Sequence, residues 1–174
     1  MGVSKSIGFP EWSPADYDII PHGMNNRKPR IIFICTGNSC RSQMAEGFMR
    51  KWAEGLIDIF SAGSKPDADV APEAVQVMSE LGIDISGARP KNMDIFAGEN
   101  FDYVITVCDE AVDSCPNFHS ADGKAIRLHM PFNDPYHASD DPEESIRIYR
   151  EARDAIGGRI KQFLGDQFKI YPGD

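Results

Sequence analysis

The segment Cys35-Thr36-Gly37-Asn38-Ser39-Cys40-Arg41-Ser42 lies where the chain changes its hydrophobic period. Before it, Ile31 to Ile34 is a short β-branched and aromatic run that reads as a buried strand. After it, Met44, Phe48, Met49 and Trp52 recur on one helical face, with Gly55 placed to stop the helix. A C-x5-R-S loop between a strand and a helix is a strong constraint. Wrapped at a helix N-terminus, it turns several backbone N–H groups into one concavity, a cradle for a tetrahedral oxyanion.

The rest of the chain repeats the alternation. Ile57 to Phe60 is expected as a second strand, and Ala71 to Leu81 as a helix with Val75, Met78 and Leu81 inward and Gly82 as terminator. Tyr103 to Val107 and Ala125 to Leu128 read as further strands. Ser145 to Leu164 reads as a long closing helix carrying Ile148, Ile156, Ile160, Phe163 and Leu164, with Asp140 and Asp141 before it as capping residues. Strands alternating with helices predict an α/β fold with right-handed crossovers and a parallel sheet covered on both faces. Such sheets bind ligands at the carboxyl ends of their strands, so Cys35 and Cys108 are expected at one edge. Residues 1–28, rich in proline and glycine, are set apart as an irregular N-terminal extension whose Phe9, Trp12, Tyr17, Ile19 and Ile20 suit docking. Residues 29–166 form the expected domain and 167–174 a C-terminal tail.

With 174 residues and 41% apolar content, one domain suffices to bury a core. A net charge of −9 and a pI near 4.9 argue against nucleic acid or an anionic membrane as partner, because both require a clustered basic face. No charged leader precedes an apolar run, and no stretch approaches the roughly 18 to 20 apolar residues of a membrane span, which points to the cytoplasm. In that reducing compartment the thiols of Cys35, Cys40, Cys108 and Cys115 are expected to be catalytic or redox-active rather than structural disulfides. Their spacings of five and seven residues do not suit zinc, and His22, His119, His129 and His137 form no ligand pattern, so no metal site is assigned from them.

Within the loop each residue type has a physical task. Cys35 lies at the base, where loop dipoles and Arg41 favour a thiolate and lower its pKa. Arg41 offers a planar fork that grips two oxyanion oxygens, and the backbone of Thr36, Gly37, Asn38, Ser39 and Cys40 supplies the cradle. Gly37 permits a turn that a β-carbon would hinder, and Ser42 is placed to donate to the Cys35 sulfur. Cys40 reads either as a bystander or as a redox guard of Cys35.

The run IIFICTGNSCRSQMAEGF resembles the N-terminal signature shared by low-molecular-weight tyrosine phosphatases and thioredoxin-coupled arsenate reductases, and CTGNSCRSQMAEG is closer to the reductases. The resemblance continues through FSAGS (60–64), LGIDIS (81–86), VITVCDEAVDSCP and FNDP (132–135), and covers roughly residues 30–165. It implies a three-layer sandwich with a four-stranded parallel sheet in the flavodoxin-like topology of the small phosphatases. It also implies that Asp134, beside Pro135, is the general acid and base. Reduction of As(V) needs two electrons, which a dithiol supplies on becoming a disulfide.

By this resemblance Cys35 attacks arsenate, Cys108 attacks the Cys35 sulfur to release arsenite, and Cys115 then displaces Cys35. Thioredoxin reduces the resulting Cys108–Cys115 disulfide; no tightly bound cofactor is implied, and phosphate or sulfate would compete with arsenate. If residues 108–115 were one helix, the two α-carbons would lie roughly 10 Å apart, beyond the approximately 7 Å reach of a disulfide, so the segment from Cys108 to Pro116 is expected to change with redox state. Reductases of this kind often hold potassium through residues matching Asn38, Glu46 and Ser61 with an aspartate, whose place here falls to Lys91. Two other readings stand beside this one. A tyrosine phosphatase would use Cys35, Arg41 and Asp134 alone, with Tyr136 as the aromatic residue after the Asp-Pro pair, and a thiol redox sensor or arsenic-binding regulator would turn nothing over.

Overall fold

The computed structural model describes residues 27–109, 116–136 and 138–173. Four strands, β1 (Arg30–Cys35), β2 (Asp58–Gly63), β3 (Tyr103–Thr106) and β4 (Ile126–His129), form one sheet in the order β2-β1-β3-β4, and every pairing is parallel. Three helices, α1 (Arg41–Trp52), α2 (Pro72–Ser79) and α3 (Pro142–Phe168), and a short 3₁₀ turn at Met93–Phe96 complete the described elements.

Side chains of β1 alternate across the sheet, as the two-residue period of a strand requires. Ile31, Phe33 and Cys35 face the larger core, shared with Met44 and Phe48 of α1, Met78 of α2, and Ile156 and Ile160 of α3. Ile32 and Ile34 face a smaller one with Phe96, Phe101 and Phe118. Ile31 to Ile34 are fully buried, and each such side chain contributes about 1.5–3 kcal/mol relative to exposure. Both faces of β1 are therefore apolar, which is why the strand shows no polar alternation in sequence. The sheet thus lies between a helical layer and a thinner layer in which rings from the 3₁₀ turn and loops pack edge to face.

Two helices differ from their expected limits. α2 ends at Ser79; the turn through Gly82, at φ +67°, swings Leu81 outward to 42% exposure, while Ala74, Val77 and Met78 form the buried face. α3 starts at Pro142 because Asp141, and not Asp140, accepts from the Glu144 backbone N–H at 2.8 Å. It continues past residue 166, the expected end of the domain, because Phe168 is buried against Tyr103 and Phe163. At the other end Arg27, assigned to the extension, makes a 2.8 Å ion pair with Asp102. The apolar residues Phe9 to Ile20 of the extension lie outside the described residues. Among the described residues no helix is long and apolar enough to cross a membrane.

Candidate active site

The strand order places β1 and β3 side by side, and the Val107 N–H continues their ladder by donating to the Ile34 carbonyl at 3.0 Å. Cys35 and Cys108 are thereby delivered to the same carboxyl edge, where both line a cavity of about 410 Å³. Thr36, Gly37, Asn38, Ser39, Cys40, Arg41, Asp134 and Tyr136 line it as well. The two strands meet where chain connections leave in opposite directions, the usual position of a ligand site in an open parallel sheet.

Backbone and side-chain bonds hold the loop around the Cys35 sulfur. The Asn38 N–H points at Sγ from 3.0 Å, the Ser42 N–H also converges on it, and Ser42 Oγ lies 2.9 Å away. Asn38, at φ +50°, is the loop residue in the left-handed region. Its amide donates to Ser42 Oγ and to Ser61 Oγ, both at 2.9 Å, and its side-chain oxygen accepts from the Lys91 backbone N–H. These side-chain bonds offset the cost of a backbone conformation that L-residues seldom adopt. Gly37 leaves room for the Asp67 carboxylate beside the loop. A Cβ there would stand 2.3 Å from Asp67 Oδ2, and that carboxylate in turn accepts from Ser39 Oγ.

The expected lowering of the Cys35 thiol pKa is corrected by the structure. Burial pushes the thiol up, and this outweighs the opposing pull of Ser42, the Asn38 N–H and Arg41. Arg41 cannot spend its charge on the sulfur alone, since NH2 is 2.6 Å from Asp134 Oδ2 and NH1 is 3.2 Å from Asp109 Oδ1. NH1 also donates to the Phe132 carbonyl at 3.0 Å. Burial raises the Asp109 carboxyl, but the Arg41 hydrogen bond and charge outweigh it and hold the group below the usual carboxylate range. Cys40 is buried, its thiol raised by desolvation and by Asp134, and it shares a hydrogen bond with the Tyr149 hydroxyl.

Glu46 is a buried member of a polar chain and not a surface residue. It accepts from Ser61 Oγ, pairs with Arg50 at 2.7 Å, and lies 3.8 Å from Lys91 Nζ. The structure thus brings Asn38, Ser61, Glu46 and Lys91 together behind the loop. Among the described residues no group of three or more His, Cys, Asp or Glu could hold a metal ion. Cys115 lies outside the described residues, as does the rest of the segment 110–115.

Residues 30–170 match the low molecular weight phosphotyrosine protein phosphatases. The chain belongs to this family. Within it, the chain is 43% identical over 136 residues to an arsenate reductase of Halalkalibacterium halodurans, covering 78% of this chain and 95% of the relative. Its fold superposes with a TM-score of 0.65 on an arsenate reductase solved in its phosphate-binding state, at 29% identity, covering 80% of this chain and 98% of the other. A thioredoxin-dependent arsenate reductase of Corynebacterium glutamicum matches at TM-score 0.58 and 29% identity, over 81% of this chain and 62% of that one. The four-stranded parallel sheet and three helices described above are the α/β fold of these phosphatase-like reductases.

Sequence reasoning missed three participants in the site: Asp109, Asp67 and Gln43. Gln43 braces the loop by donating to the Asn38 and Arg89 carbonyls at 3.0 and 3.1 Å. Asp109 had a readable signal in its position directly after Cys108. Asp67 had none, because it reaches the loop through contacts made only on folding: its N–H donates to the Gly37 carbonyl and its carboxylate accepts from Ser39 Oγ.

Proposed function

We propose that this chain reduces arsenate to arsenite through a relay of Cys35, Cys108 and Cys115. The observation that carries this reading is the second thiol. Cys108 shares the oxyanion cavity with Cys35, whereas hydrolysis of a phosphate ester requires only one nucleophilic sulfur.

Arsenate occupies the loop with its oxygens on the backbone N–H groups of residues 36–41 and on the Arg41 guanidinium. Cys35 gives up its thiol proton to Asp134 as its sulfur attacks arsenic, and Asp134 delivers that proton to the oxygen that leaves as water. Cys108 then attacks the Cys35 sulfur. The Cys35–Cys108 disulfide forms as the electron pair of the sulfur–arsenic bond passes to arsenic, and arsenite departs as As(III). Cys115 attacks the Cys108 sulfur and Cys35 leaves as thiolate; the two electrons lost by the protein have passed to arsenic, and the Cys108–Cys115 disulfide is the oxidised form left behind. Thioredoxin reduces it, a reading supported by the thioredoxin-dependent relative in Corynebacterium glutamicum. Such a cycle suits the cytoplasm, where that donor is kept reduced. Phosphate and sulfate, of the same shape and charge, compete for the loop. Behind it, Lys91 supplies the positive charge next to Glu46 that a monovalent cation would otherwise bring.

The test is arsenate-dependent NADPH consumption with thioredoxin and thioredoxin reductase, for wild type and the Cys35→Ser, Cys108→Ser and Cys115→Ser variants. Turnover by wild type alone is expected. The phosphatase reading retains one specific observation in its favour: Tyr136, 46% exposed, stands at the cavity directly after Asp134-Pro135. Hydrolysis of an aryl phosphate with only Cys35 essential, and no response to arsenate, would establish that reading instead.

A further inference from the structure

Asp109 is chemically the least expected residue of the cavity, because it presents a second carboxylate to the arginine that must bind an anion. It follows Cys108 in sequence, and its carboxylate accepts from Arg41 NH1 at 3.2 Å and from the backbone N–H groups of Asp134 and of Asp109 itself. One side chain therefore joins the Cys108 backbone to the arginine and to the Asp134 loop. Arg41 already carries Asp134 at 2.6 Å, so two carboxylates share one guanidinium. An incoming oxyanion is a third anion on the same cation, and like charges so close disfavour one another. Of the two carboxylate contacts, that of Asp109 is the longer, and the more weakly held partner yields first. Cys108 itself is 3% exposed.

We propose that Asp109 is a positioning residue: its ion pair with Arg41 holds Cys108 in its buried position until an oxyanion displaces it from the guanidinium. Occupancy of the loop then decides when the second sulfur becomes reachable. A dithiol that opens only over a loaded first cysteine is protected from oxidants in the resting enzyme. This purpose rests on the arsenate-reductase reading above, but the ion pair and its displacement do not.

The experiment follows alkylation of each cysteine by iodoacetamide, resolved by peptide mass mapping, in the reduced full-length protein with and without inorganic phosphate. Wild type, Asp109→Asn and Asp109→Ala are compared. Phosphate is expected to speed alkylation of Cys108 in wild type while protecting Cys35. Both variants should show Cys108 reacting about threefold faster without phosphate, the scale of one partly exposed ion pair, with no further gain when it is added. The phosphate Kd should fall by about the same factor, since a competing carboxylate has gone. Continued protection of Cys35 by phosphate shows that a variant retains a folded loop, which a merely structural lesion would not leave intact.

Equal Cys108 rates in all three proteins, or slowing of Cys108 by phosphate in wild type, would overturn the proposal. No arsenate is used, so the two readings separate. Phosphate-dependent opening in a protein that does not reduce arsenate would defeat the reductase assignment alone; arsenate turnover with Asp109-independent Cys108 rates would defeat only the role of Asp109.

Discussion

Replacing Gly63 by alanine places a methyl group against the back of the oxyanion loop. Gly63 closes β2 opposite Cys35 in the β1–β2 register, and its Cβ would lie 2.3 Å from the Thr36 carbonyl oxygen and 3.1 Å from the Asn38 nitrogen. Restoring ordinary van der Waals contact requires about 1 Å of separation between strand and loop. If the loop moves, the Asn38 N–H retreats from the Cys35 sulfur, now at 3.0 Å, to roughly 4 Å and ceases to hydrogen-bond. A misplacement of about 1 Å at a reacting centre can cost about 100-fold in rate, and overpacking a tight site costs about 1–3 kcal/mol of stability. Both are measurable on one variant, by thioredoxin-coupled kcat/KM with arsenate and by the urea midpoint. The reasoning is refuted if stability falls while kcat/KM and the phosphate Kd stay within about twofold of wild type. That pattern would show that β2, an edge strand, moves outward and leaves the loop in place.

Ser42→Ala removes a hydroxyl that accepts from Asn38 and contacts the Cys35 sulfur, so it strands a buried donor at a cost of about 1–3 kcal/mol. Alkylation of Cys35 at neutral pH should slow by roughly 10-fold, because a hydrogen bond to a charged group is worth about 1.5 kcal/mol or more; an unchanged rate would remove Ser42 from thiolate stabilisation. Lys91→Met withdraws the ammonium from Glu46, and the thermal midpoint of the variant should rise on exchanging sodium for potassium chloride, whereas wild type should be indifferent. Glu80 is held down to about 2 by its hydrogen bond to Arg150 against the opposing effect of desolvation, with Arg153 adding to the pull. A carboxylate with a depressed folded-state pKa stabilises the protein above its ordinary value of 4.5 and loses that contribution as pH falls toward about 2. Glu80→Gln should therefore lower the urea midpoint at neutral pH, and the gap should close on acidification through that window; a pH-independent gap would mean packing rather than charge.

Local chemistry already specified the strand, loop and helix from Ile31 to Trp52, because the change of hydrophobic period and the C-x5-R-S spacing are properties of adjacent residues. The alternation of strands and helices in turn made a parallel sheet the expected result, with Cys35 and Cys108 at one edge, and the β1–β3 register delivers them there. Residues whose roles depend on distant partners were far less legible. Leu81 continues the apolar spacing of α2 yet faces solvent, since the Gly82 turn, and not the period, sets its direction. The length of α3 was underestimated because the packing of Phe168 on Tyr103 and Phe163 is a contact across the fold. The state of Cys35 could not be read from its loop either: the sequence shows the groups that favour a thiolate, but burial depends on everything packed around it. Likewise, only folding gathers Asp109 and Asp134 onto Arg41 and sets Lys91 beside Glu46. The sequence by itself thus determined the kind of chemistry, because nucleophile and cradle are neighbours along the chain. The tertiary structure decided the charge balance of the site, because Coulomb interactions and desolvation depend on distances in space.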